Sequence, residues 1–213
     1  MIYDTADGCQ VENLSQILMD YFGYKTDGVF VDVGAYDGNI YSNTWGLARA
    51  GWKGLYIEPI TEYYKLCVEN HKNNPNVEVL QLAIGNHMGE VDFHVCGPLS
   101  TYSDFYLNSK TWGSFYDPNN IQRVYIDTLD RVLLLKGFEP GNIDVISIDT
   151  EGSEPQVFEG FTVEHWLPKM LIIEQHELNE NKDELARNVP IIESYLSQYK
   201  KIYKGWVNSI YVL

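Results

Sequence analysis

Disulfide frameworks, secretory leaders and membrane spans all leave marks that this sequence does not carry. It has three cysteines, Cys9, Cys67 and Cys96, with neither paired spacing nor a C-x-x-C. That excludes a disulfide-stapled scaffold and fits reduced thiols in a cytoplasmic protein. The longest apolar runs, VLLL at 132–135 and MLII at 170–173, are far too short to cross a bilayer. Met1 is followed by IYDTADG, which has neither the basic start nor the apolar stretch of a leader. Basic residues are also scarce: 15 Lys and Arg stand against 30 Asp and Glu, for a formal charge of −15. Phosphate backbones are held by Lys and Arg that displace counterions, so no nucleic-acid partner is expected. The acids are spread along the chain and form no tail, which favours a small neutral or cationic ligand.

What is present reads as one globular domain over 1–213, with 45% hydrophobic and 14% aromatic residues and no internal repeat. A helical lead-in occupies 1–27, where Leu14, Ile17, Leu18, Tyr21 and Phe22 recur at helical spacing. GVFVDVG (28–34) is a short apolar run closed by glycine, the pattern of a buried parallel strand. A helix is expected from Ser42 or Asn43, with Trp45, Leu47 and Ala48 inward and Gly51 ending it. GLYIEP (54–59) reads as a second buried strand. A helix over 61–74 follows, capped by Thr61, with Tyr64, Leu66, Cys67 and Val68 toward the core. Residues 77–85 read as a third strand and 89–95 as a half-exposed one. Further strands are expected at 123–130, 143–149 and 168–174, then a helix over 189–198 and a hairpin over 200–213. This alternation predicts an α/β fold with a mainly parallel sheet.

Ligands of such sheets sit at the carboxyl ends of the strands, beside the point where strand order reverses. Asp32, Glu58, Asp149 and Glu174 fall at four of those ends. A glycine turn after the first strand, with an acid closing the second, is a nucleoside-binding layout. The glycines admit the ligand to the backbone, and the acid takes both ribose hydroxyls. Gly34 and Glu58 are 24 positions apart. The turn itself, Gly34-Ala35-Tyr36-Asp37-Gly38, lacks the G-x-G-x-x-G spacing of a pyrophosphate site, and Asp32 and Asp37 repel phosphate. S-adenosylmethionine carries a sulfonium cation and no phosphate, so it is the favoured tenant. An NAD-dependent oxidoreductase fits the fold but not the turn, and a cofactor-binding module without catalysis remains a second alternative.

The ordered segments FVDVGAYDGNIYSNTWGLARAGWKGLYIEP, LAIGNHMGEVDF, IDVISIDTEGSEPQVFEGF and LIIEQH resemble the FkbM family of S-adenosylmethionine-dependent methyltransferases. The similarity runs from about Gln10 to the C-terminus, and SIDTEGSE (147–154) is its most family-specific piece. The resemblance implies a Rossmann-like seven-stranded sheet with an antiparallel C-terminal hairpin and helices on both faces. It also implies methyl transfer to a hydroxyl of a sugar, glycan or natural product. Carried over by position, Asp32, Gly34, Ala35, Tyr36, Asp37, Gly38 and Ser42 form the first cofactor motif. Glu58 is the ribose acid, Pro59 and Ile60 lie beside adenine, and Gln81, Ala83 and Ile84 form the adenine wall.

A sugar hydroxyl is a weak nucleophile near neutral pH, so a base or a Lewis acid should help remove its proton. Asp149, Glu151, Glu174 and His176 cluster at the strand ends as candidates. Within each i, i+2 pair both side chains share a face if the extended backbone persists. Glu151 or His176 is expected to accept the proton, with Asp149 near the transferred methyl. Asp149 and Glu151 also suit a helix N-terminus ahead of Pro155. Asp149, Glu174 and His176 have the ligand types for Mg²⁺ or Mn²⁺, without diagnostic spacing. The unpatterned loop 97–120 is the expected substrate loop, through Tyr102, Tyr106 and Trp112. The alternative there is an irregular insert packing its own rings on the sheet. His71, His87, His94 and His165 follow no ligand spacing and are read as structural.

Overall fold

A computed structural model describes residues 2–109, 113–176 and 186–213. In chain order its elements are α1 (Leu14–Phe22), β1 (Val29–Val33), α2 (Trp45–Arg49), β2 (Lys53–Ile57), α3 (Thr61–His71), β3 (Val77–Leu80), β4 (Ala83–Ile84) and β5 (Gly89–His94). There follow α4 (Asp104–Leu107), β6 (Ile121–Asp127), α5 (Leu129–Leu135), β7 (Val145–Ile148), α6 (Glu154–Glu159), α7 (Val163–Trp166), β8 (Met170–Glu174), α8 (Val189–Tyr195), β9 (Lys200–Lys204) and β10 (Asn208–Val212). The central sheet has the order β3-β2-β1-β7-β8-β10-β9. Its first five strands are parallel, and β10 runs antiparallel to both β8 and β9. The seven-stranded Rossmann-like layout with a closing hairpin is therefore observed.

Alternation along the strands feeds two cores. Val31 and Val33 join Leu55, Ile57, Ile146, Ile148, Leu171 and Ile173 on one face, beneath α5 to α8. Phe30 joins Tyr56, Val145, Met170, Ile172 and Ile210 on the other, beneath α1, α2 and α3. Each such side chain contributes about 1.5–3 kcal/mol when fully buried, which is why the strands read as apolar runs. At the far, amino-terminal edge, buried Asp144 accepts from Lys25 Nζ at 2.9 Å, Lys169 Nζ at 2.7 Å and the Val29 amide at 2.9 Å. That cluster fastens the lead-in to the sheet, away from the carboxyl ends.

Several expectations need correction. Residues 77–85 are not one strand. The chain leaves the sheet after Leu80, Gln81 turns aside to hydrogen-bond Thr61 Oγ1 at 2.7 Å, and β4 pairs instead with β6. β4, β6 and β5 form a separate three-stranded sheet that the sequence did not announce. Helix α3 buries Tyr63, Cys67 and His71 and leaves Leu66 and Val68 exposed, so its core stripe is shifted from the expected one. Ile60 rather than Thr61 holds its N-cap position, α2 begins only at Trp45, and Tyr21 is exposed. Among the described residues no helix is long and apolar enough to cross a membrane.

Because β1 has β2 on one side and β7 on the other, chain connections diverge at this point. A crevice opens at the carboxyl ends of β1 and β7.

Candidate functional site

The crevice has two parts. A narrow, mostly apolar cleft is lined by Glu58, Pro59, Ile60, Ala83, Ile84, Phe93 and others. A wider cavity of about 360 Å³ carries Asp32, Ser42, Asn43, Asp149, Glu174 and His176 on its walls. Gly34, Tyr36, Pro98, Asp149 and Glu151 border both. Among the described residues no Lys or Arg lines either part.

The β1 turn is shaped by its contacts. The Gly34 and Ala35 amides both donate to the Ile57 carbonyl, at 3.0 and 3.1 Å. Gly34 has φ +84°, and a Cβ there would lie 1.7 Å from the Asp149 carbonyl oxygen, so only glycine lets the two strand-end loops touch. Asp37 Oδ1 accepts from the Asn39 and Ile40 amides at 2.9 and 2.8 Å, and Gly38 packs against Cys67 and His71. Asp37 and Gly38 therefore build the turn and do not line the crevice, contrary to their reading as cofactor contacts. His71 is structural, as expected: its ring stacks on Tyr56 and its Nε2 is 2.9 Å from the Gly38 carbonyl. Ser42 lines the cavity and also accepts from the Thr44 and Trp45 amides, holding the start of α2.

Two acids on this side are buried. Asp32 Oδ2 accepts from Thr44 Oγ1 at 2.6 Å; burial raises its pKa to about 6, against the pull of Thr44 and Ser42. Glu58 accepts from the Ile60 amide at 2.8 Å and the Tyr36 amide at 2.9 Å, one bond per oxygen. Burial nevertheless raises it to about 8, and the Asp32 charge adds to the rise. Ala83 and Ile84 do wall the cleft beside Pro59 and Ile60, whereas Gln81 is exposed and Leu82 takes its place.

On the other side, the loop after β7 is held from beneath by Glu154. Its Oε1 accepts from the Thr150 amide and hydroxyl, both at 2.9 Å, and from the Gly152 amide at 3.2 Å. The N-cap position of the following helix belongs to Ser153, not to Asp149 or Glu151, and those two border the crevice. Thr101 Oγ1 donates to the Glu151 carbonyl at 2.7 Å and Ser103 Oγ to the Gly152 carbonyl at 3.1 Å, strapping the loop from above. Glu151 and His176 are left-handed, with φ +52° and +46°, so the extended backbone assumed for each i, i+2 pair does not persist. Both still line the cavity. Tyr36 and Tyr41 line it too, and four of the six described non-glycine residues with positive φ meet here. Such conformations cost about 1–3 kcal/mol each and gather at functional sites.

Glu174 joins the pair to the strap. Its Oε1 accepts from Tyr106 Oη at 3.2 Å and lies 2.5 Å from His176 Nε2. Burial disfavours both charges, yet each offsets the cost for the other: Glu174 lies below the ordinary carboxylate range and His176 above the ordinary imidazole range. Asp149, Glu151 and Glu154 are pushed well above the ordinary range by burial and then by the charge of Glu174. Among the described residues, the acids that present oxygens close enough to share an ion are Asp149, Glu151 and Glu174, all within 4.8 Å. His176, expected in that set, is engaged by Glu174 instead.

The substrate loop departs most from expectation. Tyr102 lines the narrow cleft, not the wide cavity, and its ring packs 5.2 Å from Phe93. Tyr106 is buried behind Glu174, against Gly152. Trp112 lies outside the described residues. The loop meets the wide cavity through Pro98 and Leu99. Sequence reasoning missed Tyr63, Leu82 and Phe93 in the cleft and Gln10, Tyr41, Asn43, Ser147 and Val207 in the cavity. Gln10 and Val207 arrive from the two ends of the chain and carry no local signal.

The fold is one shared with Rossmann-like methyltransferases. An O-methyltransferase from Bacillus cereus, solved in complex with SAH, superposes with a TM-score of 0.52 at 15% identity, covering 98% of this chain and 81% of that one. The O-methyltransferase TomG from Streptomyces achromogenes, involved in tomaymycin synthesis and solved with SAM, gives 0.51 at 12% identity, covering 95% and 81%. At such identities the likeness concerns the fold. No curated protein matches the sequence. The methyltransferase FkbM domain matches residues 32–203, and the chain belongs to that family.

Proposed function

We propose that this protein transfers a methyl group from S-adenosylmethionine to a hydroxyl of a sugar, glycan or natural product. The observation that carries the reading is the joined crevice: an apolar cleft closed by Glu58 opens, at Gly34, Asp149 and Glu151, into a carboxylate-lined cavity with no Lys or Arg among the described residues. The residues present fit the cofactor. Pro59, Ile60, Ala83 and Ile84 would hold the adenine, Glu58 the ribose, and Asp32, Ala35, Ser42 and Asn43 the amino-acid end. Bound there, S-adenosylmethionine supplies an activated methyl group on a positively charged sulfur. A dinucleotide fits less well, because α2 starts at Trp45 and no helix N-terminus follows the glycine turn directly to receive a pyrophosphate.

The protein's part is to align the acceptor and remove its proton, since the donor arrives activated. Asp149 and Glu151 stand where cleft and cavity join, and they receive the acceptor's hydroxyls. His176, oriented by Glu174, accepts the proton in its neutral form, which dominates only above its raised pKa. Leu99, Tyr41 and Ile40 form the apolar side of the cavity and suit a ring-shaped acceptor.

The test is calorimetric binding of SAH, followed by mass spectrometry for an added 14 Da on a panel of glycans and natural products. His176→Asn should lower turnover by about 10²–10⁴-fold while leaving SAH affinity in place. Binding of NAD in preference to SAH would overturn the reading. SAH binding with full turnover retained in His176→Asn would remove the imidazole from it.

A further inference from the structure

We propose that Asp149, Glu151 and Glu174 form the site of one hard divalent cation, Mg²⁺ or Mn²⁺, which seats two adjacent oxygens of the acceptor. The proposal rests on the methyl-transfer reading and narrows its acceptor to a vicinal diol. Each of the three side chains offers a carboxylate oxygen, and these oxygens lie within 4.8 Å of one another. Around Mg²⁺ neighbouring oxygens stand about 3.0 Å apart and opposed ones about 4.2 Å, so drawing this set onto an ion takes side-chain movements of up to about 1 Å. An all-oxygen donor set selects hard cations over zinc or copper.

The cluster is not the whole argument. Glu174 is 3% exposed, and while its Oε1 is engaged by Tyr106 and His176, its Oε2 accepts from no amide, hydroxyl or ring N–H; the Asp149 and Glu154 carboxyls can serve the group only while they are protonated. Once those acids ionise, the buried oxygen has nothing to accept, which is costly, and a cation bound by the ionised cluster satisfies it. The Oε1 contacts then orient the carboxylate from outside, as outer partners do for metal-bound carboxylates. No Lys or Arg among the described lining residues is available to compensate these acids. Asp149 and Glu151 border both parts of the crevice, which places the ion at their junction, and the 360 Å³ cavity leaves room for water and a diol beside it. There the ion would lower the pKa of a coordinated hydroxyl and fix its orientation.

The experiment uses the whole chain, stripped with EDTA and saturated with SAH, titrated with Mn²⁺ by calorimetry and by the loss of the free-ion EPR signal. One Mn²⁺ per chain is expected, displaceable by Mg²⁺. Its affinity should fall more than about tenfold in Glu174→Gln and in Asp149→Asn, with melting temperatures checked to show that both variants fold. If Glu174→Gln does not fold, Glu151→Gln replaces it. Absence of stoichiometric Mn²⁺ binding in the wild-type chain with SAH bound normally overturns the proposal. So does stoichiometric binding that these variants leave unchanged, because the ion then sits elsewhere on an acidic surface. Failure of SAH itself to bind is a different result and counts against the cofactor reading.

Discussion

Glu174 Oε1 stands 2.5 Å from His176 Nε2, and both side chains are almost wholly removed from solvent. Burial alone would hold His176 neutral, but the Glu174 charge outweighs it and raises the imidazole pKa. In EDTA-treated protein, NMR titration should therefore place His176 above the usual value of about 6.5, and Glu174→Gln should drop it below that value. The histidine end of the pair contributes its stability fully below about pH 6.5 and loses it as pH rises through the raised folded value. The glutamate end contributes fully above about pH 4.3 and loses it as pH falls through the depressed one. The pair should thus support the fold most between roughly pH 4.3 and 6.5. An imidazole that titrates identically in both proteins would refute the coupling.

Glu58 works in the opposite sense. Its folded pKa, about 8, lies above the unfolded one. The folded protein accordingly holds an extra proton between about pH 4.3 and 8, and apo stability falls as pH rises through that window, by up to about 1.4 kcal/mol per pH unit. If the ionised carboxylate takes the ribose hydroxyls, SAH affinity should rise with pH until about 8. Calorimetry between pH 6 and 9 checks this. Glu58→Gln should flatten the profile and weaken SAH by about 10- to 100-fold.

Gly34→Ala tests the contact between the two strand-end loops. With φ +84° and the Asp149 carbonyl 1.7 Å from the new Cβ, the main chain must move. We expect a loss of at least about 1–3 kcal/mol in chemical denaturation together with loss of SAH binding. An alanine variant that binds SAH normally would mean that the loops separate readily.

Glu154 should matter through the loop it holds. Glu154→Leu leaves the Thr150 and Gly152 amides without their acceptor, at about 1–3 kcal/mol each. Glu154→Gln keeps an acceptor oxygen and should be milder. Comparing the two by thermal melting separates a hydrogen-bonding role from mere space filling; equal losses would argue for the latter.

The parts of this molecule that were legible in sequence are those governed by local pattern. VFVDV, KGLYI, VISI and MLIIE read as buried strands because parallel strands covered on both faces must be apolar throughout. Their terminal acids then marked the crevice. What could not be read depends on packing between distant segments. Gln81 and Ala83 sit in one apolar stretch, yet the break between β3 and β4 arises from pairing with β6, more than forty residues on. Asp37 has the composition of a ligand contact, but its side chain turns back onto its own loop. Tyr106 looked like an acceptor platform because its loop has no period, whereas the buried Glu174 carboxylate draws its hydroxyl inward. Glu154 lay inside the most family-specific motif and went unnoticed, since a helix's first residue gives no sign of which loop it will clamp.

Tyr36, Tyr41, Glu151 and His176, the left-handed residues around the cavity, carry a consequence for engineering. A thermostabilisation programme scored only on melting temperature would try glycine at Tyr41 and Glu151, where the backbone would relax, but not at His176, whose loss leaves the buried Glu174 charge uncompensated, nor at Tyr36, whose ring packs on Tyr63. The product would be a sturdier protein stripped of an acid at its pocket, so robustness and turnover compete at Glu151, while at His176 they pull the same way.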